Sequence, residues 1–246
     1  MKKTNQVILL IGIVICLISF FVDERYSLPL INFKGSDMKI TLISVGCSLI
    51  ASSIITFFLL SETNKNYEVV DKWGLINIYK KRSDMNLSCD RHMKNLRNEL
   101  DMICFGLRNF RDAVGNDIEK KVEKGLKVRI LTLKPDSMFV EQREIDEGSS
   151  NGEIKKTLID LIKWVEKLKN IAPNKKNIQI KFYDTMPLFS YQRIDNYIYL
   201  GPYLYGLTSQ KTISFEYVKN RDGYKYYKDY FERVWKDNNF CSESKN

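Results

Sequence analysis

The sequence contains one histidine, His92, among 246 residues. Any site that needs two histidines, including the common histidine-rich zinc sites, is therefore excluded. Its five cysteines form no C-x-x-C pair, so they indicate neither a cysteine zinc site nor a disulfide framework. Glycine (12) and proline (5) are too scarce for a disordered chain. Phosphate-loop, dinucleotide-binding and metalloprotease motifs are also missing, and we expect no cofactor and no metal.

Charge is missing from two long stretches near the start of the chain. Residues 4–22 and 40–61 form runs of 19 and 22 residues without a charged side chain. Helices that rise about 1.5 Å per residue would cross a hydrocarbon core of about 30 Å at these lengths. We therefore predict transmembrane helices at 7–22 and 40–61. A cleavable signal peptide is the alternative for the first run, but no small-residue cleavage site follows it.

Basic residues set the expected orientation of these spans. Lys2 and Lys3 precede the first span, and several bases follow the second, whereas the connector carries three bases and three acids. The positive-inside rule then places both termini in the cytoplasm of an integral inner- or plasma-membrane protein. The predicted segments are a cytoplasmic N-terminus at 1–6, an extracytoplasmic loop at 23–39, a juxtamembrane linker at 62–84 and a cytoplasmic domain at 85–246.

The cytoplasmic part has the pattern of one α/β domain with a mixed sheet. Helices between the early strands predict parallel crossovers, and the run of later strands predicts an antiparallel edge. Lysines on the helix at 153–171 fit a solvated face, and neither the net charge of +9 nor any motif indicates nucleic acid as a partner. The periodicity predicts helices at 85–101, 109–124, 153–171 and 224–236, and strands at 102–106, 127–133, 178–183, 189–194, 197–200 and 212–218.

Two stretches of this domain resemble the phospholipase D-like superfamily. Residues 102–133 give a strand, a helix and then Glu123-Lys-Gly-Leu-Lys-Val-Arg-Ile-Leu131, which is similar to the opening of a half-domain of that family. Arg193-Ile-Asp-Asn-Tyr-Ile-Tyr-Leu-Gly201 resembles the second signature region, a strand, an Asp, a tight turn, a strand and a Gly. The resemblance covers roughly residues 100–236. It implies a single half-domain and, because such half-domains act in pairs, a homodimer.

The catalytic motif of that family is degenerate in this chain. Family enzymes carry H-x-K-x-x-x-x-D, and aligning its Asp with Asp195 puts Leu188 and Ser190 at the His and Lys positions. Neither side chain can attack phosphorus as the histidine does or neutralise phosphoryl oxygens as the lysine does. His92-Met-Lys94 starts a similar pattern, but it precedes the first strand, so we interpret His92 as a packing or surface residue. We lean towards a protein that is not an enzyme.

The resemblance also implies where a ligand would bind. Family clefts open at the carboxyl ends of the parallel strands. Arginine and lysine suit a phosphate and tyrosine suits stacking on a base. Arg193 and Tyr203 rank first because they flank the degenerate motif. The selected candidate ligand-binding residues are Arg108, Lys134, Ser190, Arg193, Asp195, Tyr203 and Tyr205. Further polar residues expected near the same cleft are Asp184, Thr185, Ser209 and Gln210.

These observations lead to one expected function and two alternatives. We expect a non-catalytic, membrane-anchored sensor or effector that binds a phosphate-bearing ligand, such as a nucleotide, and signals to its two spans. Bacterial anti-phage signalling proteins commonly fuse a two-span anchor to a nucleotide-sensing domain, and the expectation rests in part on that analogy. A membrane scaffold for a protein partner and a divergent membrane phosphodiesterase are the alternatives.

Overall fold

A computed structural model describes residues 2–22, 27–28 and 33–243. The chain forms two compact units, Met1–Glu68 and Val69–Asn246. The predicted extracytoplasmic loop at 23–39 lies partly outside the described residues, and so does the end of the predicted domain at 244–246.

The first unit contains two helices and a short β-ribbon. Its elements are α1 (Lys2–Ser19), β1 (Ser27–Leu28), β2 (Phe33–Lys34) and α2 (Gly35–Tyr67). Glycines let the two helices pack closely, because a Cβ added to Gly46 would lie 2.4 Å from Sγ of Cys16. Within the described residues one helix segment, Gly35–Leu59, is long and apolar enough to cross a membrane. The apolar part of α1, Thr4–Ser19, is shorter. Both predicted spans therefore stay predictions.

The second unit is built on an eight-stranded mixed sheet, which confirms the predicted α/β class. The sheet order is β10-β6-β5-β4-β7-β8-β9-β3, with β4, β5 and β6 parallel and the other neighbours antiparallel. The strands are β3 (Leu75–Tyr79), β4 (Glu99–Ile103), β5 (Lys127–Thr132), β6 (Ile178–Tyr183), β7 (Phe189–Ile194), β8 (Tyr197–Pro202), β9 (Ser214–Val218) and β10 (Cys241–Glu243). The helices are α3 (Arg82–Asn95), α4 (Arg108–Val122), α5 (Met138–Glu147), α6 (Glu153–Ile171) and α7 (Asp222–Lys236).

Apolar side chains cover both faces of this sheet, as expected when crossover helices pack on a parallel core. Met102 and Ile130 belong to the core shared with α3, α4 and α6. Ile103 and Leu131 point the other way, into the core shared with α7. The alternation along each strand therefore assigns α3, α4 and most of α6 to one face of the sheet and α7 to the opposite face. The first turns of α6 join the second core through Ile154 and Leu158.

Candidate functional site

Three helices begin at the carboxyl end of the parallel strands. Three residues join α3 to β4 and four join β4 to α4, so both helices run antiparallel to β4 and start near its last residue. Helix α6 also runs back along the sheet to reach β6 and starts at the same end. The positive ends of three helix dipoles therefore meet at this edge, where they favour negative charge.

A cleft of about 410 Å³ lies among these helix starts. Its rim carries the two arginines that open the helices, Arg82 of α3 and Arg108 of α4. Its walls are apolar residues of α3 and α4, and strand β7 contributes Gln192. A cleft at the carboxyl ends of the strands is the usual ligand position in an open α/β sheet.

The start of α4 is open, whereas the start of α6 is already occupied by a carboxylate. The Glu144 carboxylate accepts hydrogen bonds from the backbone N–H groups of Gly152 (2.8 Å), Ile154 (2.7 Å) and Lys155 (3.1 Å). At α4 the N-cap residue Leu107 makes no side-chain cap, and no acidic residue stands in the first turn. Backbone N–H groups of such a first turn have no partner within the helix. The start of α4 therefore offers an anion the donors that Glu144 fills at α6.

Gln192 supplies a buried amide to the same cleft. Its side chain is 6% exposed and lines the cleft, and its Nε2 has no hydrogen-bond acceptor among the described residues. A buried donor without a partner is costly, so a ligand atom that accepts from it would be stabilising. Gln192 thus distinguishes this cleft from a merely solvated groove.

Tyr203 closes the rim of the cleft beside α5. Its ring lies 5.0 Å from that of Phe105 and under the guanidinium of Arg143, whose Cζ is 4.9 Å from the ring centroid. Burial raises the pKa of Tyr203 to about 12, and the nearby positive charge of Arg82 opposes that rise. The hydroxyl therefore stays protonated at neutral pH and is available as a hydrogen-bond donor.

Two of the seven predicted ligand-binding residues, Arg108 and Tyr203, line this cleft. Lys134 lies just after the end of β5 and Tyr205 is 82% exposed, but neither is among the lining residues. Ser190 is buried in β7, where its hydroxyl donates to the carbonyl of Gly201 at 3.2 Å. The structure thus places Ser190 within the sheet.

Arg193 and Asp195 lie at the opposite, amino end of β4. Arg193 donates to the Asp101 carboxylate at 2.7 and 2.5 Å and to Glu99 at 2.9 Å. Asp101, in turn, is paired with Arg129 at 2.8 Å. These three bonds direct the Arg193 guanidinium at carboxylates within the fold, so the structure separates Arg193 from Tyr203.

Asp195 serves the turn between β7 and β8. Its φ of +45° is left-handed, which an aspartate tolerates better than most residues. Its carboxylate accepts from the backbone N–H groups of residues 97, 98 and 99 at 2.8, 3.0 and 2.8 Å. These bonds hold the α3–β4 loop against the turn, so Asp195 acts in folding at this end of the sheet.

His92, as predicted, is packed rather than placed in the cleft. Its ring stacks on Tyr197 at 3.5 Å, and its Nδ1 lies 2.5 Å from the hydroxyl of Tyr199. Tyr199 donates to the buried carboxylate of Glu216 at 2.9 Å. Partial burial lowers the pKa of His92, and Glu216 opposes that effect. His92 therefore belongs to a network that holds α3 on the sheet.

The sequence interpretation missed Arg82 and Gln192. Arg82 was assigned to the linker at 62–84, although it is the first residue of α3. Gln192 is a buried amide in a strand whose neighbours on the same face are Ser190 and Ile194, a signal that strand alternation could have revealed. Within the part of the chain that the structure describes, no group of three His, Cys, Asp or Glu could hold a metal.

Comparisons with known proteins give a family and a group of solved structures with a similar fold. Residues 75–200 match the profile of a family described as a domain of unknown function, DUF5919. No curated protein matches the sequence. A solved structure similar to this chain is that of TrmBL2, an archaeal chromatin protein described as showing a novel mode of DNA binding. The identity is 14% and the TM-score 0.41, and the match covers 81% of this chain and 66% of that chain, just under two thirds of its length.

The DNA-binding neighbour corrects one expectation from the sequence. We did not expect nucleic acid as a partner, and a structural neighbour that binds DNA contradicts that expectation, which is therefore withdrawn. A TM-score of 0.41 supports no further argument about what this chain binds.

Proposed function

The chain belongs to the DUF5919 family, and from that premise we propose that it is a membrane-anchored, non-catalytic sensor that binds a phosphate-bearing ligand. The cleft at the starts of α3, α4 and α6 is the proposed binding site. The spans are the proposed recipients of the signal.

The open start of α4 is the observation that supports this proposal most directly. The start of α6 binds the carboxylate of Glu144 through three backbone N–H groups, so a helix start at this edge can hold an anionic oxygen group. Helix α4 presents the same kind of donors beside Arg82 and Arg108, with no side-chain cap and no acidic residue in its own first turn. Arg108 also lies 3.8 Å from the carboxylate of Glu153, an exposed pair that an incoming phosphate would have to displace or share. Phosphate is the anion for which helix starts and arginines are best suited.

The degenerate motif supports binding without catalysis. Leu188, at the position of the family nucleophile, is 74% exposed and carries no nucleophilic atom. Ser190 bonds to Gly201 and Asp195 to three backbone N–H groups, so neither is poised to activate another group. The phospholipase D-like interpretation remains a proposal. If it holds, this domain retains the ligand cleft of that family but lacks the histidine nucleophile that its reaction requires.

Membrane anchoring by two spans is the second part of the proposal. Helix α2 contains the long apolar segment Gly35–Leu59, and α1 packs against it through Gly12 and Gly46. Asn5 also donates to the Ser53 carbonyl at 3.0 Å, so the Asn5 amide is partnered within the pair. This pairing supports a helical hairpin. The positive-inside bias of the flanking lysines and arginines is what supports its orientation in the inner or plasma membrane, with both termini in the cytoplasm.

Calorimetric titration of the full chain in lipid nanodiscs tests the binding site. The probes are pyrophosphate, a panel of nucleotides and a short DNA duplex, which carries the same phosphate chemistry. We expect a small phosphate-bearing probe to bind and the double variant Arg82→Ala/Arg108→Ala to weaken it about tenfold or more. Lys134→Ala, a basic residue at the same edge outside the cleft lining, is the matched control and should bind as the wild type does.

The same preparation tests the absence of catalysis. We expect no turnover of a chromogenic phosphodiester. Hydrolysis that the Arg82→Ala/Arg108→Ala variant abolishes would contradict the proposal in favour of a divergent phosphodiesterase. Binding of any probe that the double variant leaves unchanged would contradict the cleft as the site.

A further inference from the structure

We propose that the cleft recognises a single-base nucleotide and that Gln192 reads its base, with adenine as the base that fits. This inference rests on the proposed function, because the open start of α4 would hold the phosphate of the same ligand. It adds a second subsite, deeper between α3 and α4, that selects the ligand by hydrogen bonding.

Four neutral carboxamides line the cleft, beside two arginines, three carboxylates and several hydroxyl groups. Each carboxamide presents a donor and an acceptor side by side, a pattern that a base edge can match and an acyl chain cannot. An acyl chain would bury these groups without partners, which disfavours a lipid tail as the occupant. The four carboxamides are Asn86, Asn109, Gln192 and Gln210.

The walls between these amides suit a flat ring. Met85, Cys89 and Met93 recur every four residues along α3 and face Phe110 and Val114 of α4 across the cleft. Burial raises the pKa of the Cys89 thiol to about 12, so this wall stays uncharged at neutral pH. Methionine and phenylalanine side chains give a ring polarisable apolar contacts on both sides.

Gln192 lies on the sheet at the base of the cleft, where it could contact the edge of a nucleotide base. It lies on β7, opposite Met102 of β4, on the face that α3 and α4 cover. Its unpartnered Nε2 donor and its adjacent Oε1 acceptor complement the N7 acceptor and N6 donor of adenine, the pairing that glutamine makes with that base in nucleic-acid readout.

The size of the cleft limits the ligand. Its 410 Å³ is near the small end of the range of about 300–1,000 Å³ that small-molecule sites span. One base with its ribose and phosphate suits this volume better than a ligand with two bases. We therefore assign a mononucleotide to the cleft of each chain.

Titration of the full chain in nanodiscs with AMP, GMP, CMP, UMP and ribose 5-phosphate tests the inference. We expect AMP to bind at least about tenfold more tightly than either ribose 5-phosphate or GMP. Gln192→Glu keeps the shape of the side chain but replaces its donor by an acceptor, and it should remove most of the preference for AMP. Gln179→Glu, the same change at an exposed strand position outside the cleft, should keep it.

The outcomes separate this inference from the proposed function. Equal binding of AMP and ribose 5-phosphate would overturn the base subsite and leave the phosphate site standing. A preference for AMP that survives in Gln192→Glu would overturn the role of Gln192. No binding of any of the five probes would overturn the base subsite, and the pyrophosphate titration would then decide separately whether the phosphate site stands.

Discussion

Buried polar side chains in the second unit are satisfied to very different degrees. The Glu216 carboxylate, 1% exposed, accepts from Tyr79, Asn77 and Tyr199 at 2.5, 3.0 and 2.9 Å. Gln192 is buried almost as deeply, yet its Nε2 has no acceptor among the described residues. Other buried atoms also have no partner, but of those in the described chain only the Gln192 amide lines the cleft. This difference is why a ligand is inferred at Gln192 and not at Glu216.

Arg193 is predicted to act in stability and not in binding. Arg193→Met would leave Asp101, which is 1% exposed, with Arg129 as its remaining partner. We expect the free energy of unfolding to fall by about 2–4 kcal/mol, because breaking a buried ion pair leaves a poorly compensated charge. Ligand affinity in the nanodisc titration should not change.

Chemical denaturation of wild type and variant measures this effect. Arg97→Met is the matched control, because Arg97 is exposed on the α3–β4 loop and only its backbone N–H bonds to Asp195. If Arg193→Met were as stable as the control, or if it bound the ligand more weakly than wild type, the structural role of Arg193 would be contradicted.

His92 is predicted to make stability depend on pH. Partial burial lowers the pKa of His92 in the folded chain below its ordinary value of 6.5, so folding favours the neutral ring. This contribution is complete above the ordinary pKa and is lost as the pH falls below it towards the folded pKa. Denaturation at pH 7.5 and 5 should show a smaller loss of stability for His92→Phe than for wild type. An identical loss in both chains would contradict this role.

Residue types alone could not separate Arg193 from Tyr203. Both flank the degenerate motif in the sequence, but β7 runs antiparallel to β4. The start of β7 is therefore at the carboxyl end of β4, whereas Arg193 and Asp195 are at the amino end. Following the direction of each strand would have separated them. In contrast, the sequence does not show that the Gln192 amide has no hydrogen-bond partner, because this depends on how the side chains around it pack.

At the scale of elements, a close approach between the β4–α4 loop and α6 shapes the cleft. A Cβ on Gly106 would lie 2.0 Å from Oγ1 and 2.3 Å from Cβ of Thr157. Because a β-branched side chain on a helix cannot move away, the loop must carry glycine to pack there. Gly106 thus keeps the start of α4 beside the start of α6.

Gly106→Ala is predicted to lower the free energy of unfolding by about 2–3 kcal/mol and to weaken ligand binding, because the start of α4 would shift. Gly115→Ala is the control within α4. A Cβ at position 115 would contact only Nε1 of Trp164, at an ordinary van der Waals distance of 3.8 Å. Because alanine favours the helix more than glycine does, Gly115→Ala should raise the free energy of unfolding by up to about 1 kcal/mol. Thermal unfolding with calorimetry measures both. Equal stability of the two variants would contradict the packing described.

The sequence predicted elements well where apolar periodicity was strong. The helix at 153–171 and the strands at 178–183 and 189–194 have the predicted bounds. Helix α5 was missed because two of its three buried residues are Arg143 and Glu144, which a hydrophobic pattern does not detect. The predicted helix at 85–101 instead ends at Asn95 and β4 begins at Glu99, where the Asp195 carboxylate holds the loop.

Edge strands were also missed. Strand β3 falls in the predicted linker at 62–84, since Ile76 and Ile78 are exposed and its alternation is weak. Its place in the sheet depends on pairing with β9, more than 130 residues later in the chain. A contact at that separation has no local signal in the sequence.

At the scale of the whole molecule, the proposed function requires a membrane hairpin with both termini in the cytoplasm. In the Asp23→Cys variant, the new thiol lies in the connector that is expected outside the cell. We predict that it reacts with a membrane-impermeant maleimide in intact cells. Ser242→Cys, near the end of the chain, should react only after lysis, because both termini are expected in the cytoplasm. Labelling of both sites, or of neither, in intact cells would contradict the two-span topology.

Hydrogen–deuterium exchange of the full chain in nanodiscs, with and without the tightest-binding nucleotide, tests whether the ligand binds at the start of α4. A phosphate at the open start of α4 should slow exchange at the backbone N–H groups of residues 108–110, with smaller effects at the start of α3. The amino-end cluster around Asp101 and Arg193 should not change. Protection confined to that cluster, or no protection at 108–110 when the nucleotide is saturating, would contradict the cleft as the ligand site.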